Sequence, residues 1–308
     1  MGDLSFSDIV GQEQAVSLLQ QVVSSQRIAP AYLFVGIPGI GKKIAARAMA
    51  RSLLGCSSID DSLDQHPDSL WIEPTYSEKG NLITVSQAKA LEVKKKTAPK
   101  IRIEQVRQIT QFLQRQPLKS DRLVVIVEDA HLMSEAPANA LLKTLEEPGK
   151  GTIILTAPST DSLLTTIVSR CQTIRFIPLS QKNLQLVLKN KNYAEILEDK
   201  SLLAVAEGSP GKAILAWQQL QTIPADLQQK TLTIPSSKLE ALMIAKTISQ
   251  EIELDTQLWL IDYLQHHYWQ QNHNSLLVHQ WEKTRQYLLG YVQPRLAWEC
   301  LLMALVNC

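Results

Sequence analysis

A glycine-rich segment at residues 36–43 has the residue types and spacing needed to hold a phosphate. Its glycines let backbone N–H groups turn toward an anion, and a helix expected to begin near Gly41 adds partial positive charge. The Lys42 ammonium is placed to reach terminal phosphates. The pattern indicates a P-loop, and its candidate nucleotide-binding residues are Gly36, Gly39, Gly41, Lys42 and Lys43.

The positions that would hold a metal ion depart from this pattern. A P-loop NTPase has Ser or Thr at the last position, where the hydroxyl binds Mg²⁺, but here the residue is Lys43. An ammonium has no acceptor and repels a cation. The acid pair after the apolar run LVVIV is also altered, because Glu128 precedes Asp129 where such ATPases usually have Asp and then Glu. We therefore expect impaired Mg²⁺ coordination and, if ATP binding is retained, weak binding.

Alternating strands and helices must position these residues. Short apolar runs predict buried strands at residues 31–35, 123–127, 152–156 and 173–177. Apolar residues at helical spacing predict helices at 12–25, from about 41 to 54, at 103–116, and from Ser134 as N-cap to 147. This alternation is typical of an α/β domain whose mostly parallel sheet carries helices on both faces.

Two parts of the chain lack strand signals. Residues from Cys56 to about Lys100 are polar and predicted to be irregular, and they include a basic run between Lys89 and Arg102. This run fits either a solvated loop or a contact with DNA phosphates or an acidic partner. After Pro178 the pattern is helical to the end of the chain.

Composition narrows the functional class. The chain has 308 residues with a formal net charge of +1, 45% hydrophobic and 20% charged residues, which is less basic than a protein that binds DNA alone. Its four cysteines are too sparse for a disulfide framework, so we expect a reducing, cytoplasmic location. No signal peptide is evident at Met1–Val10, and no apolar run approaches the roughly 18 residues of a membrane span.

Several segments together resemble the AAA+ clamp-loader subunits of bacterial DNA polymerase III. Residues 6–12 resemble the N-terminal signature, and residues 31–34 resemble the strand before the P-loop. Residues 139–148 resemble a NALLKxLEEP segment, residues 169–171 an SRC motif, and residues 293–297 a C-terminal QPRLA segment. The resemblance extends from residue 6 to about residue 303. It implies an AAA+ P-loop domain at 1–178, a helical lid domain at 179–215 and an all-helical collar domain for oligomerisation at 216–308.

The resemblance also implies roles for individual residues. The backbone at Val10 would lie against adenine, and Thr156 and Lys212 would be sensor-like positions. In the SRC motif Arg170, with Ser169 and Cys171, would act as an arginine finger on the γ-phosphate held by the next subunit. A guanidinium in that position stabilises transition-state charge and is worth roughly 10³–10⁵ in rate.

Departures from the family pattern indicate the type of subunit. The ATP-hydrolysing tau/gamma subunit has a P-loop Thr, an Asp-Glu pair and a four-cysteine zinc module, whereas Cys56 stands alone before His66-Pro67-Asp68, so we expect no zinc. In the second sensor motif a glycine, Gly211, replaces the arginine. A nucleotide site that departs from the usual metal-binding and sensor residues, in a chain with a complete SRC motif, is typical of delta-prime subunits. This implies tau/gamma and delta as partners, with the sliding clamp and primed DNA reached through the complex.

Two other functions remain open at this point. The chain could be an active ATPase of the tau/gamma kind, which ATP turnover by the isolated protein would reveal. It could also be a P-loop enzyme of another class, such as a nucleotide kinase. The LEEP and SRC segments would then have no purpose.

Overall fold

The computed structural model describes residues 6–56, 63–78, 81–91, 97–272 and 275–306. The chain divides into two compact units, Met1–Leu179 and Ser180–Cys308. The first unit contains both strands and helices, whereas every regular element described in the second unit is a helix.

The first unit alternates strands and helices along the chain. Its strands are β1 (Ala31–Val35), β2 (Ser69–Ile72), β3 (Thr75–Glu78), β4 (Asn81–Thr84), β5 (Leu123–Val127), β6 (Gly151–Ala157) and β7 (Gln172–Arg175). Its α-helices are α1 (Glu13–Ser25), α2 (Lys42–Leu54), α3 (Val85–Ala90), α4 (Ile103–Leu113), α5 (Glu135–Glu146) and α6 (Thr165–Val168). Short 3-10 turns lie at Phe6–Asp8, Leu63–Gln65, Ala130–Leu132 and Thr160–Ser162.

Five of these strands form one parallel sheet in the order β2-β5-β6-β1-β7. The pairing of Leu33 with Leu155, and of Val125 with Ile153, brings the carboxyl ends of β1, β5 and β6 to the same edge. The predicted parallel sheet is confirmed. Ligands of open parallel sheets bind at such an edge, and the P-loop and the acid pair both begin there.

Both faces of the sheet are covered, because each central strand is buried along its whole length. One face packs against α4 and α5 through an apolar cluster that includes Leu33, Val125, Ile109 and Leu141. The next residues along each strand point to the opposite face. There α2 packs on β1, β5 and β6.

The segment predicted to be irregular contains regular structure. Within it lie β2, the antiparallel β3–β4 pair and α3, so this prediction was wrong. β2 has only four residues, Ser69–Ile72, and single short apolar runs give little periodicity to read. It is stabilised as an edge strand by pairing with β5. The centre of the basic run, residues 92–96, lies outside the described residues.

The second unit is a set of packed helices. They are α7 (Gln181–Asn190), α8 (Lys200–Ala206), α9 (Pro210–Gln221), α10 (Ala225–Thr231), α11 (Lys238–Glu251), α12 (Leu254–Asn272), α13 (Ser275–Leu289) and α14 (Pro294–Val306), with a 3-10 turn at Ala194–Glu198. α9 runs across the predicted boundary at residue 215, and the three-domain division stays a prediction. In the described part of the chain, no helix has the length and hydropathy to cross a membrane.

Aromatic side chains form much of the core of this second unit. Trp281 and Trp298 are fully buried, with ring centroids 6.3 Å apart in an edge-to-face arrangement, and Tyr268 stacks on Trp281. The Trp298 indole donates to Gln257 Oε1 at 2.9 Å. These rings bury large apolar surfaces and hold α12, α13 and α14 together.

A buried carboxylate fixes the loop that leads into β5. Asp68, fully buried immediately before β2, accepts hydrogen bonds from the backbone N–H groups of Leu118, Lys119 and Ser120 at 2.7–2.8 Å and from the Ser120 hydroxyl at 2.8 Å. Burial raises the pKa of Asp68, but these four hydrogen bonds outweigh it and lower the pKa from 3.8 to about 2.

This site generates a prediction about stability and pH. Because the folded-state pKa is depressed, the stabilisation from Asp68 is present above about pH 4 and is lost as the pH falls toward 2. We expect Asp68→Asn to lower the free energy of unfolding by about 2 kcal/mol at neutral pH. Urea unfolding should show the difference from wild type shrinking between about pH 5 and about pH 3. Ser120→Ala, which removes one of the four donors, should have a smaller effect; a pH-independent difference for Asp68→Asn would contradict this account.

Candidate functional site

The glycine-rich loop connects the end of β1 to the start of α2 as a P-loop requires. Gly39 and Gly41 have φ angles of 77° and 111°, which L side chains rarely adopt. At Gly36 an added Cβ would lie 2.6 Å from the Phe176 carbonyl oxygen, just beyond the end of β7. The glycines are therefore required by backbone conformation and by close packing.

Lys42 is folded back into this loop. Its side chain is buried, and Nζ donates to the carbonyl oxygens of Gly36 at 2.5 Å and Ile37 at 3.1 Å. Burial lowers the pKa of Lys42 to about 8, although the negative charge of Asp129 partly opposes the shift. The residue holds a positive charge at the helix N-terminus, where phosphate binding is favoured.

Lys43 makes the central ion pairs of the site. Its Nζ lies 2.6 Å from Glu128 Oε1 and 3.2 Å from Glu73 Oε1, and both carboxylates are largely shielded from solvent. Burial alone would lower the pKa of Lys43, but the hydrogen bond and charge of Glu128, followed by those of Glu73, outweigh it and raise the pKa. The ammonium therefore links α2 to the ends of β5 and β2.

The two carboxylates respond differently to this environment. Burial raises the pKa of Glu128, and the ammonium of Lys43 opposes this only in part. Burial also acts to raise the pKa of Glu73, but hydrogen bonds from Ser86 and the charge of Lys43 outweigh it and lower the pKa. The pKa of Glu73 therefore lies below that of Glu128, and Glu73 stays ionised to a lower pH.

Trp71 of β2 forms one wall of the cluster. Its indole Nε1 donates to Glu128 Oε1 at 2.6 Å. The Nζ of Lys43 lies 5.2 Å from the ring centroid and the Cζ of Arg47 lies 4.5 Å from it, within the range of cation–π attraction. Arg47 is held in turn by Asp64 at 2.8 Å.

The arrangement does not fit a Mg²⁺ ion. Mg²⁺ takes oxygen ligands in near-octahedral geometry, and the hydroxyl expected at residue 43 is replaced by an ammonium that already binds Glu73 and Glu128. Over the described residues, no three His, Cys, Asp or Glu side chains are grouped to hold a metal. The expected lack of zinc stays a prediction.

The two sensor-like positions, Thr156 and Lys212, belong to different units of the chain. Thr156 is buried near the end of β6, and its Oγ1 accepts from the backbone N–H of Asp129 at 3.0 Å. Asp129 has a φ angle of 47°, a left-handed backbone conformation that L residues rarely adopt. Lys212 belongs to the second unit, in the first turn of α9, where its Nζ lies 2.5 Å from Glu207 Oε2.

The N-terminal segment is tied to the end of the sheet by Gln12. Its side-chain amide donates to the Ile177 carbonyl oxygen at 2.7 Å and accepts from the Ile177 N–H at 3.0 Å. Val10, the residue predicted to face adenine, is half-buried two positions earlier. The adenine contact itself stays a prediction.

Arg170 lies after α6, beside the C-terminal end of α5. Its Nε donates to Glu146 Oε1 at 2.6 Å, and its Nη1 donates to the Thr166 carbonyl oxygen at 3.0 Å. Ser169 is exposed and donates to the same carbonyl at 3.1 Å. Cys171 packs against the apolar core, and burial raises the pKa of its thiol to about 12, so it stays protonated.

Sequence reasoning missed partners of Lys43 and of Arg170. Trp71 and Glu73 lie in the segment predicted to be irregular, although the apolar run SLWI followed by an acid resembles the LVVIV run before Glu128. That parallel was the available signal. Glu146 was read as part of the LEEP segment, without a role beside Arg170.

Two family models together match almost the whole chain. Residues 11–180 match the model described as DNA polymerase III, delta subunit. Residues 182–305 match the model described as cyanobacterial DNA polymerase III delta prime, C-terminal domain.

Curated relatives are subunits of the same polymerase. The chain is 29% identical over 211 residues to DNA polymerase III subunit tau of Escherichia coli strain K12, covering 67% of this chain and 31% of the relative. It is 30% identical over 188 residues to subunit delta' of Bacillus subtilis strain 168, covering 56% and 50%. It is 31% identical over 185 residues to subunit gamma of Buchnera aphidicola from Acyrthosiphon pisum, covering 60% and 48%. The matches thus span half or less of these relatives.

A solved structure shows the same fold. A DNA polymerase III gamma subunit-related protein from Thermotoga maritima aligns with a TM-score of 0.54 at 18% identity, over 94% of this chain and 98% of that one. The expected AAA+ P-loop fold is confirmed. Because the first family model covers more than half of the 308 residues, the chain belongs to the clamp-loader family of DNA polymerase III subunits.

Proposed function

We propose that this chain is a delta-prime-type subunit of the clamp loader, with an impaired ATPase site of its own and an arginine finger that serves a neighbour. The observation that carries this proposal is the ammonium of Lys43, held between Glu128 and Glu73. An active motor would present a hydroxyl for Mg²⁺ in this part of the P-loop.

The chemistry of phosphoryl transfer explains why this arrangement opposes hydrolysis. Catalysis depends on positioning and on cations that neutralise charge on the β- and γ-phosphates. Lys43 supplies a fixed positive charge, but an ammonium cannot bridge phosphates and organise water as a divalent ion does. Lys42 and the loop backbone still favour phosphate. We therefore propose that nucleotide binding, where it occurs, is weak and little dependent on Mg²⁺.

Arg170 supports the second half of the proposal. Its side chain remains about one-third exposed although it is hydrogen-bonded on two sides. It follows α6 at the surface of the first unit, so a neighbouring subunit can approach it. Arginine suits this task because its planar fork binds two phosphate oxygens and its charge does not titrate.

The partners follow from the same proposal. The match of residues 182–305 to a delta-prime C-terminal domain supports a role of the helical second unit in assembly. We propose that residues 216–308 serve as the collar, with 179–215 as the lid, and that the partners are tau/gamma and delta. The sliding clamp and primed DNA are reached through the complex, in the cytoplasm.

The two alternative functions stand differently after the comparisons. An active tau/gamma-like ATPase remains the competing proposal, since relatives named gamma and tau match at similar identity. Membership of the clamp-loader family excludes an unrelated P-loop kinase.

One test of this proposal uses the isolated protein. We expect negligible Mg²⁺-dependent ATP hydrolysis, because Lys43 replaces the metal-binding hydroxyl and no neighbour supplies a finger. Steady-state phosphate release from purified protein measures this, with Lys42→Ala as the control for contaminating ATPases. Turnover of about 1 s⁻¹, within the usual range of phosphoryl-transfer enzymes and abolished in the control, would favour the tau/gamma-like alternative.

The complementary prediction restores the usual metal ligands. Lys43→Thr combined with Glu128→Asp and Asp129→Glu should make nucleotide affinity depend on Mg²⁺, since a hydroxyl is supplied and the ammonium that pairs with Glu73 and Glu128 is removed. Nucleotide titrations with Mg²⁺ and with EDTA measure this. Lys43→Met provides a matched control that removes the charge without supplying a ligand. Equal affinities with and without Mg²⁺ in the restored variant would refute the metal-ligand explanation.

A further prediction concerns Arg170 in the reconstituted complex. If the ATPase subunits carry Ala at their own SRC arginines, Arg170 is the remaining finger. We then expect Arg170→Ala to lower ATP turnover by at least about 10²-fold without loss of assembly, and Arg170→Lys to restore little of it. Phosphate release and size-exclusion chromatography measure turnover and assembly. An unchanged rate in an intact complex would remove the finger from the proposal.

A further inference from the structure

The arginine of the SRC motif is restrained by two elements of its own chain. Glu146, the last residue of α5, uses a single oxygen, Oε1, to bind both Nε, at 2.6 Å, and Nη2 of Arg170. The Thr166 carbonyl oxygen of α6 accepts from Nη1 at 3.0 Å. The long side chain is thereby held along one edge and at one corner of its guanidinium group.

This pattern of contacts leaves part of the guanidinium available. The group carries five N–H donors in a rigid plane. Glu146 Oε1 accepts the Nε–H and forms an ion pair with Nη2, and the Thr166 carbonyl oxygen accepts one N–H of Nη1. Nη2 therefore still has an N–H to offer, as does Nη1 apart from a long 3.5 Å contact with Ser169 Oγ. Two donors on a planar fork match two oxygens of a phosphate.

Helix stability does not account for the acid at this position. A carboxylate at a helix C-terminus meets the negative end of the helix dipole, where lysine or arginine is favoured. Glu146 is nevertheless half-exposed, beside Arg170. Residues that oppose local preference are expected where function requires them.

We propose that Glu146 is a positioning residue for Arg170. By fixing the guanidinium before a neighbouring subunit docks, it removes rotamer freedom that would otherwise be lost on forming the transition state. Ordering a free arginine side chain corresponds to a factor of up to about 30 in rate. This inference rests on the proposed function, in which Arg170 acts on a γ-phosphate held by the neighbour.

The test uses the reconstituted complex in which the ATPase subunits carry Ala at their own SRC arginines. Glu146→Ala should lower kcat about tenfold and leave KM for ATP nearly unchanged, because the finger acts in the transition state. Glu146→Gln should retain more of the rate, since its amide oxygen still accepts from Nε. In an Arg170→Ala background, Glu146→Ala should have no further effect.

The controls separate this role from a structural one. Glu147→Ala, one position beyond the end of α5, changes an exposed carboxylate of the same segment and should keep the wild-type rate. Size-exclusion chromatography confirms that each complex is intact. If Arg170→Ala lowers turnover but Glu146→Ala and Glu146→Gln do not, the positioning role alone is wrong.

Two other outcomes would also overturn the inference. A higher rate for Glu146→Ala would show that the carboxylate restrains the finger or repels the phosphate. An unchanged rate for Arg170→Ala would overturn the finger and the positioning role together. An equal loss from Glu146→Ala with and without Arg170 would show that Glu146 acts by another route.

Discussion

The ion pairs of Lys43 are the interaction on which the nucleotide site depends. A parallel sheet delivers acidic residues to its carboxyl edge, and like charges crowded there must be neutralised. In this chain Glu128 and Glu73 share one ammonium, and Trp71 shields it from one side. The neutralising charge is therefore part of the chain, fixed to α2 by covalent bonds.

Much of this architecture could be predicted because the signals are local. The bounds of β1 and β5 agree with the apolar runs at 31–35 and 123–127, since a buried parallel strand is apolar at successive positions. The P-loop could be placed because strand, glycines and lysine are consecutive. The departure at Lys43 could be recognised for the same reason. Its consequence for Mg²⁺ follows from the chemistry of an ammonium group.

The partners of these residues could not be predicted because they depend on distant parts of the chain. Glu73 is 30 residues from Lys43, and Glu146 is 24 residues from Arg170. Neither separation leaves a periodic pattern. β2 is short and gains its order by pairing with β5, so its end, and the acid that follows, is defined only when the sheet is assembled. Tertiary pairing decides such segments more than local propensity does.

The close approach of Gly36 to Phe176 bears on how such a site changes over evolutionary time. A side chain at residue 36 would collide with a backbone carbonyl, whereas residue 43 projects toward polar groups that can accept new partners. The motif therefore has one part that the fold itself requires and another that only the reaction requires. When selection for hydrolysis is relaxed, the metal ligands can be replaced first. The glycine is kept because the backbone just beyond β7 leaves no room for a side chain at residue 36. The glycine at residue 36 is therefore explained by the fold alone and carries no information about hydrolysis, whereas the residue after the lysine does.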